Sequence, residues 1–166
     1  MIDLKRLKTL ASRDEAETKK FFSRLGAKRV KELDEPITEL HEQVFKEINC
    51  LECANCCKSI SPIIFDKDIE RMSKHLRMKS SAFIEKYLMI DSDKDYVFQD
   101  TPCPFLFPDN YCMVYEVRPK SCREYPHTNR KRFYQIISLT IKNTHYCPAV
   151  YEIISRLKTT ILNGKF

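Results

Sequence analysis

Apolar residues recur at helical intervals among charges at the start of the chain: Ile2, Leu4, Leu7, Leu10 and Ala11, then Phe21, Phe22 and Leu25. Such spacing gathers one apolar stripe on a helix, and Gly26, which takes positive φ readily, marks its end. The pattern predicts an amphipathic helix over residues 2–24. Val30, Leu33, Ile37, Leu40 and Val44 alternate steps of three and four and predict a second helix. Pro36 falls inside this run and has no amide to donate, so the helix kinks or starts afresh there, with Asp34 as its N-cap. His41 lies off the stripe and reads as a solvated helix residue.

The pattern changes in the middle of the chain. Ser59 to Phe65 is β-prone and interrupted by Pro62. Asp66 then caps a helix running to about Arg77, with Ile69, Met72 and Leu76 inward, and Ser80 or Ser81 opens another that carries Phe83, Ile84, Tyr87 and Leu88. The acidic run Asp91 to Asp95 reads as a turn, because it lacks the glycine and distal glutamate of a calcium loop. Tyr96 to Gln99 reads as a short strand. From Cys103 to Tyr125 the neighbouring prolines 102, 104, 108 and 119 break any long element, and Asp109-Asn110 predicts a small hairpin between Phe105–Phe107 and Cys112–Tyr115. Over residues 131–143, Phe133, Ile137 and Ile141 fit a helix face although the Ile and Thr content suits a strand; helix is the reading. Pro148, at a first helical turn, opens a final amphipathic helix with Val150, Ile153, Ile154, Leu157 and Ile161.

Composition narrows the function classes. With 166 residues the chain can bury a core without cross-links. It has two glycines, Gly26 and Gly164, which excludes phosphate-cradling loops of the P-loop or dinucleotide-binding kind. No apolar run has the length of a signal peptide core or a membrane span, so the expectation is a cytoplasmic protein with no membrane partner. In a reducing compartment, clustered cysteines are ligands or redox groups rather than disulfides. The net charge of +6 is uneven: residues 47–116 carry eight Lys/Arg against twelve Asp/Glu, and residues 117–166 carry ten against two. The basic end offers a surface to an anionic partner such as RNA, but it follows no known nucleic-acid module, which leaves nucleic acid a disfavoured partner.

Four of the eight cysteines fall in one octapeptide, Cys50-Leu51-Glu52-Cys53-Ala54-Asn55-Cys56-Cys57. A two-residue gap lets a tight turn aim two thiolates at one ion, and Cys50, Cys53 and Cys56 offer that gap twice. The same spacing opens the bacterial ferredoxin run, whose remote fourth cysteine precedes a proline; Cys103-Pro104 and Cys147-Pro148 both have that form. Soft thiolates suit zinc and iron–sulfur clusters alike. Cys57 cannot easily share an ion with the adjacent Cys56, so the two serve different purposes, either in two neighbouring centres or as one centre and a free thiol. Isolated cysteines such as Cys147 also fit a buried free thiol. Arg118 and Arg123 flank Cys122, where a guanidinium offsets thiolate charge or, for Arg118, pairs with Glu116 or caps a helix. His127 and His145 are the plausible imidazole ligands. No nucleophilic catalytic pairing stands out.

The cluster Cys-x2-Cys-x2-Cys-Cys is followed by Cys103-Pro104-Phe105-Leu106, by Cys112-Met113-Val114-Tyr115-Glu116-Val117-Arg118-Pro119, and by Cys122-Arg123-Glu124-Tyr125-Pro126. From about Asn49 to the final helix, this series resembles the YkgJ family of cysteine cluster proteins, described as a zinc- or iron-chelating domain and related to the cysteine-rich part of flagellin lysine N-methylase. The resemblance implies that Cys50, Cys53, Cys56, Cys57, Cys103, Cys112 and Cys122 are the family's cysteines and adds Cys147. It also implies, as an alternative, an iron–sulfur-dependent redox or methyl-transfer enzyme, although no loop for a methyl donor is recognisable. The expected fold is mainly α: a metal-stabilised domain of amphipathic helices with a cysteine-rich irregular segment and a small β-hairpin. Residues 1–48 would form a helical segment packing on the core, and residues 49–166 the metal-chelating domain.

Overall fold

The computed structural model describes residues 3–164; Ile2 of the first predicted helix lies outside the described residues. The chain is mainly helical. In order it forms α1 (Leu4–Lys31), α2 (Asp34–Glu47), α3 (Cys50–Cys53), α4 (Asn55–Ser59), α5 (Asp66–His75), α6 (Ser80–Tyr87), β1 (Leu88–Ile90), β2 (Tyr96–Phe98), α7 (Lys120–Glu124), α8 (Ile137–Asn143) and α9 (Pro148–Leu162). Among the described residues no helix is long and apolar enough to cross a membrane. The chain divides into two compact units, Met1–Asn49 with Pro126–Phe166, and Cys50–Tyr125.

In the first unit, the Asp3 carboxylate accepts the Lys5 amide at 3.0 Å and starts α1. Gly26, at φ 72° and ψ 161°, breaks the helix where the sequence predicted its end, and further helical turns carry the chain to Lys31. A fresh start follows. Leu33 is the N-cap of α2, and Pro36 sits in its first turn, where a missing amide costs no hydrogen bond. Asp34 is not that N-cap, because its carboxylate serves another element: it accepts the backbone amides of Arg132 at 2.6 Å and Phe133 at 2.8 Å. Those amides open a 3-10 turn, Phe133–Ile136, that runs into α8, so residues 131–143 are helical as read.

Pro148 opens α9, which packs on α1 and α2. Their shared core holds Phe22, Ile37, Val44, Phe133, Val150 and Leu157 among its buried side chains, each contributing about 1.5–3 kcal/mol by leaving water. At the rim, the Arg156 fork donates to both Glu47 carboxylate oxygens at 2.9 and 2.7 Å. His41 departs from its solvated reading: it is half-buried, its Nδ1 lies 2.7 Å from the Oγ1 of buried Thr128, and its ring packs on Phe45. Burial lowers its pKa below 6.5.

In the second unit, β1 and β2 pair antiparallel, with Leu88 opposite Phe98 and Ile90 opposite Tyr96. The intervening acidic run is the predicted turn, and Asp91 accepts the amides of Asp93 and Asp95 at 2.9 and 3.0 Å. Leu88 belongs to this hairpin rather than to the helix before it. Residues 60–65 do not form a strand: they run alongside β2 through the Ile64 amide to the Tyr96 carbonyl, at 2.7 Å, and the Phe98 amide to Ser61 Oγ, also at 2.7 Å. Pro62, without an amide, cannot extend that contact into a ladder. The helix expected from Asp66 forms with Phe65 as N-cap. Leu106 and Cys112 form an antiparallel bridge closed by Asn110 at φ 70°, which is the small hairpin the sequence predicted. The buried core comprises Ile64, Ile69, Met72, Phe83, Leu88, Phe98, Phe105 and Val114. Phe105 is its centre, with the rings of Phe83, Tyr87 and Phe98 at 6.3, 4.9 and 5.5 Å.

Candidate metal centre

The octapeptide folds as two short helical turns joined by Ala54, which is buried and left-handed at φ 46°, ψ 20°. Its amide donates to the Cys50 carbonyl at 2.8 Å and its carbonyl accepts from Lys58 at 3.1 Å, so one residue closes the first turn and opens the second. Cys50 and Cys53 lie on α3, and Cys56 and Cys57 on α4.

The later cysteines are brought to this element by backbone contacts. The Cys103 amide donates to the Cys57 carbonyl at 2.8 Å, and Leu106 closes a turn on the Cys103 carbonyl at 3.0 Å. Cys112 is the bridge partner of Leu106. Cys122 rides on α7, whose Ser121 Oγ donates to the Ile63 carbonyl at 2.9 Å.

Electrostatics define the centre of the group. Desolvation raises the Cys103 thiol to about 11 and the Cys122 thiol to about 12, and also raises Cys50 and Cys112. Every one of these four also feels the charge of Cys57. Cys57 itself moves the other way, to about 7, chiefly because the Cys56 thiol, 3.9 Å away, hydrogen-bonds to it. The residue that fitted the sequence motif least well thus has its thiol lowered beside Cys56, and its charge opposes ionisation of Cys50, Cys103, Cys112 and Cys122.

Arg118 supplies the compensating charge. Its guanidinium stacks 3.8 Å above the Tyr115 ring and donates to the Tyr115 carbonyl at 2.6 Å, and its charge lowers both Cys112 and Cys122. Of the roles open to it in the sequence, the contact to the Tyr115 carbonyl caps the 3-10 turn Tyr115–Val117, and the same charge acts on Cys112 and Cys122.

Cys147, His127 and His145 belong to the other unit. Cys147 is the N-cap of α9 and lies partly buried against that unit's core. His145 Nε2 lies 3.0 Å from Glu15 Oε2, and His127 occupies a turn at φ 66°.

The donors of the cysteine unit fit zinc or an iron–sulfur cluster in chemistry. They are all sulfur, mostly desolvated, and held near a cation. Among the described residues no three His, Cys, Asp or Glu side chains stand at the spacing that holds a metal ion. The cysteines are thus gathered by the backbone without being closed into a ligand set.

Sequence reasoning missed Asp68 and Arg71. Asp68 is 2% exposed and Arg71 pairs with it. Their i, i+3 spacing on a helix was the available signal, but it gives no hint of burial.

Residues 49–148 match the model of the CxxCxxCC family, described as "Putative zinc- or iron-chelating domain". The chain belongs to this family, of which the YkgJ cysteine cluster proteins are part. No curated protein and no solved structure matches the chain.

Proposed function

We propose that residues 50–125 bind zinc or an iron–sulfur cluster through thiolates centred on Cys57, with Cys103, Cys112 and Cys122 from the irregular segment and Cys50, Cys53 and Cys56 beside it. The observation that carries this reading is that backbone contacts bring the later cysteines to the octapeptide, with the Cys103 amide on the Cys57 carbonyl and Cys112 bridging Leu106, while burial holds the Cys103 and Cys122 thiols uncharged. Uncharged thiols clustered this way gain little from one another. A soft dication or cluster repays their ionisation and, as structural zinc does, contributes on the order of 10–16 kcal/mol to the fold. Cysteine has a single side-chain torsion before its sulfur, so the thiols close on the group by rotation about χ1. Arg118 offsets the residual negative charge, and Cys147 serves as a packing thiol. A thiolate set of this kind belongs in a reducing compartment such as the cytoplasm.

The test is metal analysis of anaerobically purified protein, combined with its absorption spectrum. Stoichiometric metal is expected, lost in a Cys53→Ser, Cys57→Ser double variant and retained in Cys147→Ser. Protein without metal would end this reading. A colourless zinc protein points to a structural centre, whereas a visible band with a reducible paramagnetic signal points to the redox or methyl-transfer alternative.

A further inference from the structure

Asp68 is a buried carboxylate in the first turn of α5, 2% exposed, and it does more than cap that helix. Its Oδ2 accepts the Phe65 amide at 3.2 Å, while its Oδ1 accepts the Lys120 amide at 3.1 Å and the Arg71 Nη2 at 2.5 Å. Arg71 then reaches the same distant segment by a second route: Nη2 donates to the Arg118 carbonyl at 2.9 Å and Nε to the Val117 carbonyl at 3.3 Å. Arg123, one residue past Cys122, donates to that Arg118 carbonyl as well, at 3.0 Å. Two successive carbonyls and the first amide of α7 are thus held from one side by a single carboxylate–guanidinium pair.

A buried charge is costly unless it is paired and hydrogen-bonded. Core packing supplies no reason to retain one here, because apolar residues would fill the same space at lower cost. What the pair does fix is the run Val117-Arg118-Pro119-Lys120. That run sets both the start of the helix bearing Cys122 and the backbone from which the Arg118 guanidinium reaches Tyr115. Arg71 serves the carboxylate and the Arg118 carbonyl from Nη2 and the Val117 carbonyl from Nε, a spread over two nitrogens of one plane that lysine's single nitrogen does not reproduce.

We propose that the Asp68–Arg71 pair is the positioning device of the cysteine centre, fixing the backbone of residues 117–120 from which Arg118 and Cys122 are carried. The placement of Cys122 stands on these contacts alone; its bearing on metal retention rests on the function proposed above. The pair touches no ligand itself and acts through the backbone of residues 117–120.

The test compares Asp68→Asn and Arg71→Lys with the parent chain in two measurements. In metal-stripped, reduced protein, the alkylation rate of each cysteine is read by mass spectrometry, with circular dichroism confirming the fold. Cys122 is expected to react roughly tenfold faster or more in both variants, while Cys147 and Cys50 keep their rates, since losing a charged hydrogen bond frees one segment. A uniform rise at all cysteines would mean general destabilisation, and an unchanged Cys122 would mean no positioning; either result overturns the proposal. If a variant fails to fold, Lys120→Pro, which deletes the amide received by Asp68 together with the exposed Lys120–Glu124 pair, is read the same way, with Glu124→Gln as the control for the ion pair. In the second measurement the chain is loaded with cobalt(II), and the sulfur-to-metal charge-transfer band and the rate of metal loss to a chelator are followed. A weaker band and faster loss are expected in the variants. Parent protein that takes up no cobalt would refute the metal reading and leave the alkylation result to decide the positioning.

Discussion

The two units of this chain are held together by different means. The unit of residues 1–49 and 126–166 is built from long helices whose apolar stripes face each other, with Ile37, Val44, Val150, Ile153 and Leu157 almost wholly out of water. The unit of residues 50–125 has a smaller core around Phe105 and a long stretch, Cys103 to Tyr125, with little regular structure. Where side-chain periodicity is strong, hydrophobic burial does most of the ordering, with polar contacts such as Asp34 to Arg132 and Phe133 added at the joins. Where it is weak, the backbone is tied by individual polar contacts, such as Cys103 to Cys57 and Asp68 to Lys120, around side chains that can bind metal.

Removing metal should separate the two most sharply. After treatment with a chelator under reducing conditions, amides of residues 103–115 are expected to exchange rapidly with solvent, while those of α2 and α9 and of the run 117–120 tied to Asp68 and Arg71 stay protected, the centre being worth ~10–16 kcal/mol. Equal loss of protection in both units would erase the contrast. Next in size, Phe105→Ala is expected to cost about 3–5 kcal/mol and to lower bound metal. Leu157→Ala should cost about 2–5 kcal/mol with metal content unchanged. Denaturant melts and metal analysis on the two variants check the pair, and metal loss from Leu157→Ala would count against separate modes of support.

A smaller effect is expected from Asp34→Ala, which strands the amides of Arg132 and Phe133. A loss of about 2 kcal/mol, with faster exchange at those two amides, is the expected result. The smallest is a pH effect. Burial favours neutral His41, so its folded pKa lies below the 6.5 of the free side chain. The stability it lends is complete above that value and is lost as pH falls through and below it. An NMR titration should place the ring's midpoint below 6.5, and His41→Gln should flatten the acid limb of the stability profile. A midpoint above 6.5 would contradict the burial account.

The helices were legible because their apolar residues repeat with the period of the structure. The stripe Leu33-Ile37-Leu40-Val44, the break at Gly26 and the start at Pro148 needed no partner to be read. Asp34 was misassigned because a carboxylate before a helix looks like a cap whichever amides it meets, and its actual partners lie 98 and 99 positions away. His41 read as solvated because it lies off the stripe, and the residue that covers it, Thr128, lies 87 positions away. At the cysteines, spacing announced the chemistry and set Cys57 apart from Cys56, but it could not show that the Cys103 amide reaches the Cys57 carbonyl, a contact between residues far apart in the chain. Leu88 was placed in a helix since nothing local distinguishes the last turn of α6 from a strand that awaits Phe98.

The hydrogen bonds from Arg132 and Phe133 to Asp34 also bear on the order of assembly. On a ribosome, the first two helices emerge well before the segment that completes their core. The cysteine unit, whose residues are contiguous, is then whole while its helical companion still lacks α8 and α9. Local contacts close sooner than distant ones. The cysteine unit can therefore close while the protein is still nascent, with the hydrophobic core of the helical unit sealed last.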